Sequence, residues 1–135
     1  MKFIKMSQKE LHQIARFYEG VMATAYEGLF YREGKVIGSS IIEMIDTDDN
    51  MMGKAEKLVQ ARGWVISLKL EEGVAYSDGS VEVDENAGTK TCHRLRGILS
   101  SIYEKKTGDI VDIKEIKCQS LGDERCEFEV KIKGF

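Results

Sequence analysis

Proline is missing from all 135 residues, and no function follows from its absence. Long apolar runs are missing too. Nothing approaches the roughly 18–20 consecutive apolar residues that a transmembrane helix needs, so no membrane span is expected. A basic stripe is also lacking. The 20 Lys and Arg are scattered among 23 Asp and Glu, for a net charge of −3. That balance argues against nucleic acid or an anionic membrane surface as the main partner. The opening Met1-Lys2-Phe3-Ile4-Lys5-Met6 is too short and too charged for a secretory signal. Histidines number two, His12 and His93. No glycine-rich dinucleotide loop follows a strand pattern, and no Ser/His/Asp or Cys/His arrangement is evident, so catalysis is not expected. Cysteines number three. They cannot all pair within one chain, and the odd count fits a reducing compartment, so a cytoplasmic protein is expected.

What is present reads as an ordinary globular chain, 42% hydrophobic and 32% charged. Its length suits one domain spanning 1–135. A chain of this size buries roughly 65–70% of its unfolded surface, so neither a disulfide nor a metal is needed merely to fold.

Ser7-Gln8-Lys9-Glu10 reads as a capping box. Leu11, Ile14, Ala15, Tyr18, Val21, Met22 and Ala25 then recur at helical spacing, which predicts a first helix to about residue 25. Gly28 and Gly34 punctuate the next stretch, and Leu29-Phe30-Tyr31 fits either a short strand or a continued helix. Val36, Ser40, Ile41 and Met44 suggest a helix over 35–44. After a polar break at 46–50, Met51, Met52, Ala55, Leu58 and Val59 form one apolar helical face, closed by Gly63. Trp64, Ile66, Leu68 and Leu70 alternate with Val65, Ser67 and Lys69 at strand spacing. Val74-Ala75-Tyr76 continues beyond a turn. Asp78-Gly79 signals a hairpin leading to a strand through Val81 and Val83. A helix over 89–106 carries Cys92, Leu95, Ile98, Ile102 and Tyr103 inward, with Arg94, Arg96, Ser100, Glu104 and Lys105 facing away. A strand from Ile110 to Cys118 and a turn at 121–124 lead to the last strand, with Cys126, Phe128, Val130 and Ile132 inward. This order predicts an α+β fold, helices packed on one face of an antiparallel sheet of about four strands.

All three cysteines fall in the last third. Cys118 and Cys126 flank a glycine-containing turn, Cys92 sits near the start of a helix, and Glu115 stands three residues before Cys118. Three thiolates and a carboxylate would satisfy a tetrahedral zinc ion. In a flat strand, however, Glu115 and Cys118 would point to opposite faces, so a bulge between them would be needed. His93 is a rival fourth ligand, but its helical direction differs from that of Cys92 by about 100°. The spacing lacks the close cysteine pairs of zinc ribbons, and cysteine is among the most buried residue types. A metal site and three plain core thiols both remain open on spacing alone.

The segments Cys92-His93-Arg94-Leu95-Arg96-Gly97-Ile98-Leu99, Lys114-Glu115-Ile116-Lys117-Cys118 and Gly122-Asp123-Glu124-Arg125-Cys126-Glu127-Phe128-Glu129-Val130 are more specific. Together they resemble the vinyl-four-reductase (4-vinyl reductase, hydrocarbon-binding) domain family. The resemblance covers about residues 88–132. It extends loosely to Glu33-Gly34-Lys35-Val36-Ile37-Gly38 and Arg62-Gly63-Trp64. The family includes the sensor domains of phenol- and xylene-responsive regulators, and its fold is related to the small subunits of the TRAPP tethering complex. In the phenol-sensing relatives zinc is held by three cysteines and one glutamate. The resemblance therefore implies zinc on Cys92, Glu115, Cys118 and Cys126, with 22, two and seven residues between successive ligands.

It also implies an apolar pocket between helices and sheet for a small apolar or aromatic ligand. Phe30, Tyr31, Met44, Trp64 and Tyr76 are candidates for lining it. The regulators attach this domain to an ATPase and a DNA-binding module, and neither fits in 135 residues. Output through a homodimer or a separate effector protein is therefore expected. The family also raises a scaffold or adaptor role, and an accessory role in tetrapyrrole vinyl reduction.

Overall fold

Ser7 and Glu10 close the first helix reciprocally. The Glu10 N–H donates to Ser7 Oγ at 3.1 Å, and the Ser7 N–H donates to Glu10 Oε1 at 2.8 Å. In this computed structural model, which describes residues 1–133, helix α1 spans Gln8–Met22 and α2 spans Tyr26–Glu43. Helix α3 spans Met51–Ala61, followed by Gly63 at a left-handed φ of +86°. Strands β1 (Ser67–Glu71) and β2 (Val74–Asp78) precede helix α4 (His93–Thr107), and strands β3 (Val111–Lys117) and β4 (Cys126–Ile132) follow it. The last two residues of the expected 1–135 domain lie outside the described residues.

The sheet is antiparallel throughout, in the order β1-β2-β4-β3. Leu68, Leu70, Ala75, Phe128, Val111 and Ile113 alternate onto the covered face. Helices α3 and α4 pack on that face, and α2 lies across α4. The architecture is α+β with helices on one side of a four-stranded sheet, as expected.

Helix α2 is continuous through Gly28 and Gly34, so the glycines do not punctuate it and 29–31 is not a strand. Its glycines have a packing reason. Gly34 and Gly38 face Gly97 of α4 so closely that a methyl on Gly34 would meet the Arg94 carbonyl oxygen at 1.9 Å. The helix accepts the local cost of glycine because it lets two backbones touch. The same crossing explains a second difference. Arg94 and Ser100, read as facing away, are buried because α2 covers the side of α4 that the sheet does not.

Two strand expectations also change. Residues 79–92 form an irregular connection, with no strand at Val81 or Val83. Asp84, Asn86 and Gly88 break the pattern there, and Gly88 takes a φ of +67°. At the start of β1, Val65 is buried and Ile66 is exposed, so the alternation begins only at Ser67. Ile132 is likewise exposed, because β4 outruns the helical cover at its end.

Candidate functional site

A bulge supplies what a flat strand could not. In the β3–β4 ladder Glu115 pairs with Phe128 and Lys117 pairs with Glu127, a register shift that leaves Ile116 as the extra residue. One inserted residue flips everything after it to the other face. Glu115 and Cys118 therefore both turn inward, and both are buried. Beyond Cys118 the chain makes a 3₁₀ turn over Gln119–Leu121 and reverses at Gly122, whose φ is +86°. That return places Cys126 at the start of β4.

One ligand atom from each of Cys92, Glu115, Cys118 and Cys126 lies within 4.8 Å of the others, and all four residues are buried. The sulfurs of Cys92 and Cys126 are 3.9 Å apart. Donors about 2.3 Å from a tetrahedral zinc would stand about 3.8 Å from one another. Glu115 Oε1 accepts the Cys92 N–H at 3.2 Å, while Oε2 is buried without a hydrogen-bond partner. An unpartnered buried carboxylate oxygen among three thiols is a group that a cation would satisfy. His93 is not in this group. It neighbours Glu27 Oε2 at 3.7 Å and the Tyr26 ring instead.

The surroundings suit thiolates. The Gln119 N–H donates to Cys126 Sγ at 3.3 Å, Ser80 Oγ lies 3.4 Å from Cys92 Sγ, and Thr91 Oγ1 lies 3.9 Å from Cys118 Sγ. Cys92 also caps a helix N-terminus, where negative charge is favoured. As a metal-free set, the four groups favour one shared negative charge. Hydrogen bonds from Cys126 and Cys92 hold the Cys118 thiol low. Hydrogen bonding to Cys118 pushes Cys92 well up, and likewise raises Cys126 to about 12. Burial raises the Glu115 carboxyl to about 9. A dication at the centre would let all four ionise together.

With the Cys92 side chain turned to the cluster, α4 is capped from elsewhere. Glu82, in the irregular connection, accepts the Arg94 N–H at 3.1 Å and the Leu95 N–H at 2.8 Å. The strand reading of 79–92 missed this residue, although the turn formers around it marked a loop. Burial pushes the Glu82 carboxyl up to about 7, against the Leu95 N–H and the Arg94 charge. Its ordinary value is 4.5, so between these values the folded chain holds a proton that the unfolded chain has lost. Stability should decline as pH rises across that window and level off above it, by at most about 3 kcal/mol. Thermal midpoints measured across pH should show this slope, and Glu82→Ala should flatten it whatever the variant's absolute stability. An unchanged slope would contradict the assignment.

Beside the cluster lies a cavity of about 200 Å³ between α1, α2 and residues 82–94. Tyr26, Phe30 and Leu11 supply its apolar wall, and Glu82, Thr91 and Arg94 supply polar groups. The Arg94 guanidinium stacks 3.7 Å from the Phe30 ring centre and donates to Glu33 at 2.8 Å. Helix α1 closes one side through His12, whose Nε2 is 2.7 Å from the Val83 carbonyl, and through an Arg16–Asp84 ion pair at 3.0 Å. Of the five expected lining residues, only Phe30 is here. Met44 and Trp64 line a separate open groove. Tyr31 is half-buried under the Arg96 guanidinium at 4.7 Å. Tyr76 lies on the outer face of the sheet beneath Arg125, at 3.9 Å.

Residues 76–132 match the vinyl-four-reductase domain family, which bears out the resemblance read from the sequence. An uncharacterized protein of Methanocaldococcus jannaschii is 34% identical over 113 residues, 79% of this chain. This chain spans 65% of that relative's length. Among crystal structures, the phenol-responsive sensory domain of the transcription activator PoxR, with phenol, superposes with a TM-score of 0.80 at 17% identity. The match covers 98% of this chain and 77% of that one. A vinyl-4-reductase family protein from Methanocaldococcus jannaschii gives 0.62 at 16% identity, over 99% of both chains. At such identities the likeness is one of fold. Among the described residues no helix is long and apolar enough to cross a membrane.

Proposed function

We propose, with the vinyl-four-reductase match as premise, that the chain is a non-enzymatic small-molecule binding module built around a structural zinc ion. Cys92, Glu115, Cys118 and Cys126 would hold the ion, and a compact aromatic or apolar ligand would occupy the cavity between α1, α2 and residues 82–94. One observation carries this reading. Thr91 and Arg94 line the cavity, while Cys92 between them belongs to the metal cluster. The start of α4 is thus shared by ligand wall and clamp.

Zinc supplies a cross-link here rather than a reaction centre, because four protein donors leave no position for water. The chain's own residues do the recognition. The rings of Tyr26 and Phe30 offer faces for stacking, and Arg94 and Thr91 offer hydrogen bonds to a polar head. A cavity of about 200 Å³ lies below the ~300–1,000 Å³ of drug-sized sites, which favours a ligand of one ring. Occupation would bear on α1, whose side chains are largely exposed and which is tied down by polar contacts at 83–84. Differential affinity for two α1 positions would pass the signal to a second copy or a separate effector chain.

Phenol is the probe for the test, by calorimetry on the metal-loaded chain. Ala15→Leu, which adds bulk to the cavity wall, should weaken phenol at least about tenfold, equivalent to about 1.4 kcal/mol. Tyr76→Ala, on the outer sheet face, should leave binding unchanged. Equal binding in Ala15→Leu, or a loss confined to Tyr76→Ala, would overturn the placement of the site.

A further inference from the structure

We propose that the open groove between α2, α3 and residues 2–6 binds a single-chain amphiphile with a carboxylate head, a long-chain fatty acid anion. This is a second site, beyond the cavity above. Leu11 is the one lining residue that the two share.

The groove encloses about 780 Å³, within the range of ligand pockets. Its wall is apolar: Ile37, Met44, Leu58, Trp64 and Val81 form it, and Phe3, Ile4 and Met6 lie along it. Much of this surface is open to water, with Phe3 64% and Ile4 85% exposed. A contiguous exposed apolar patch of this kind marks a binding surface rather than a scattering of surface side chains.

The charge around it is one-sided. Lys2, Lys5 and Arg62 are the ionisable groups lining the groove, and no Asp or Glu does so. In the chain as a whole acids outnumber bases, 23 to 20. Among the described residues none of these three cations enters an ion pair. Arg62 stands at the mouth, its guanidinium 5.4 Å from the Phe3 ring centre and against the Met44 sulfur. An unpaired planar cation held between apolar groups suits a carboxylate head, which it can meet with two parallel hydrogen bonds. The alkyl tail then lies over Met44, Leu58 and Trp64. Wall and rim thus point to one ligand chemistry, an apolar chain ending in an anion.

Trp64 is the single tryptophan, so its emission reports on the groove directly. The metal-loaded full chain is titrated with monomeric laurate, with dodecanol and with vesicles of anionic phospholipid. Laurate should shift Trp64 emission and bind at least about tenfold tighter than dodecanol. Arg62→Gln should lower laurate affinity about tenfold and bring it level with dodecanol, and Lys5→Gln should act in the same direction. Phenol should not displace laurate. Equal binding of dodecanol and laurate by the unaltered chain, or no effect of either substitution, would overturn the proposal. So would preference for vesicles over monomeric laurate, which would mark a membrane surface. Laurate binding without phenol binding would instead remove the cavity reading and leave this one standing.

Discussion

Gly97→Ala is expected to cost at least about 3 kcal/mol of stability, at or above the upper end of ordinary overpacking. A methyl there would lie 2.0 Å from the Tyr31 carbonyl oxygen and 2.7 Å from the Lys35 nitrogen. Both are backbone atoms of α2, so no side chain can swing away to make room. Relief requires α2 and α4 to separate, which opens the most extensive interface in the fold and unseats Leu95, Ile98 and Ile102 from their packing. Against a typical total of about 5–15 kcal/mol, such a loss leaves little margin. Gly34→Ala, facing the Arg94 carbonyl, should behave alike. Gly28→Ala is the control. It lies in the same helix with nothing within 4 Å of the added methyl, and should stabilise by up to about 1 kcal/mol. Urea denaturation of the three variants checks this. Near-native stability of Gly97→Ala would mean that the helices do not touch as described.

Cys118→Ala is expected to abolish stoichiometric metal and to lower stability by several kcal/mol, of the order of 3–5, as when a buried charged set loses a member. Cys118 is the hub of the cluster, joined to both other sulfurs and placed by the bulge at Ile116. Its loss leaves Glu115 Oε2 without a partner in the interior. His93→Gln, one residue from Cys92 but outside the cluster, should keep the metal. Elemental analysis and thermal denaturation of both variants, before and after chelation, separate the outcomes. Metal retained at full stoichiometry in Cys118→Ala, or lost in His93→Gln, would contradict the assigned ligand set.

Periodic segments were legible in the sequence. The Ser7–Glu10 box, the stripe Leu95–Ile98–Ile102 and the alternation of Cys126 and Phe128 each carry a local signal that tertiary packing reinforces. The glycines of α2 misled because their cost is local and their benefit is not. Nothing near Gly34 in sequence reveals that Gly97 faces it. The connection over 79–92 misled for a related reason. Val81 and Val83 alternate as a strand would, yet Glu82 between them is drawn to cap a helix that begins some ten residues later. At the metal cluster the residue types and the need for a bulge could be read in advance, whereas the bulge itself depends on the β3–β4 register. The pocket was the least legible part. Aromatic residues are apolar wherever they lie, and only the folded chain separates Phe30 from Trp64 and places Tyr76 on the far side of the sheet.

Native mass spectrometry of the chain purified without chelator, with and without phenol, tests the central claim most directly. The zinc-clamped binding module predicts one zinc per chain, one phenol added on titration, and loss of the phenol adduct once the zinc is stripped. A chain that carries no metal, or that binds phenol equally well after stripping, would contradict it.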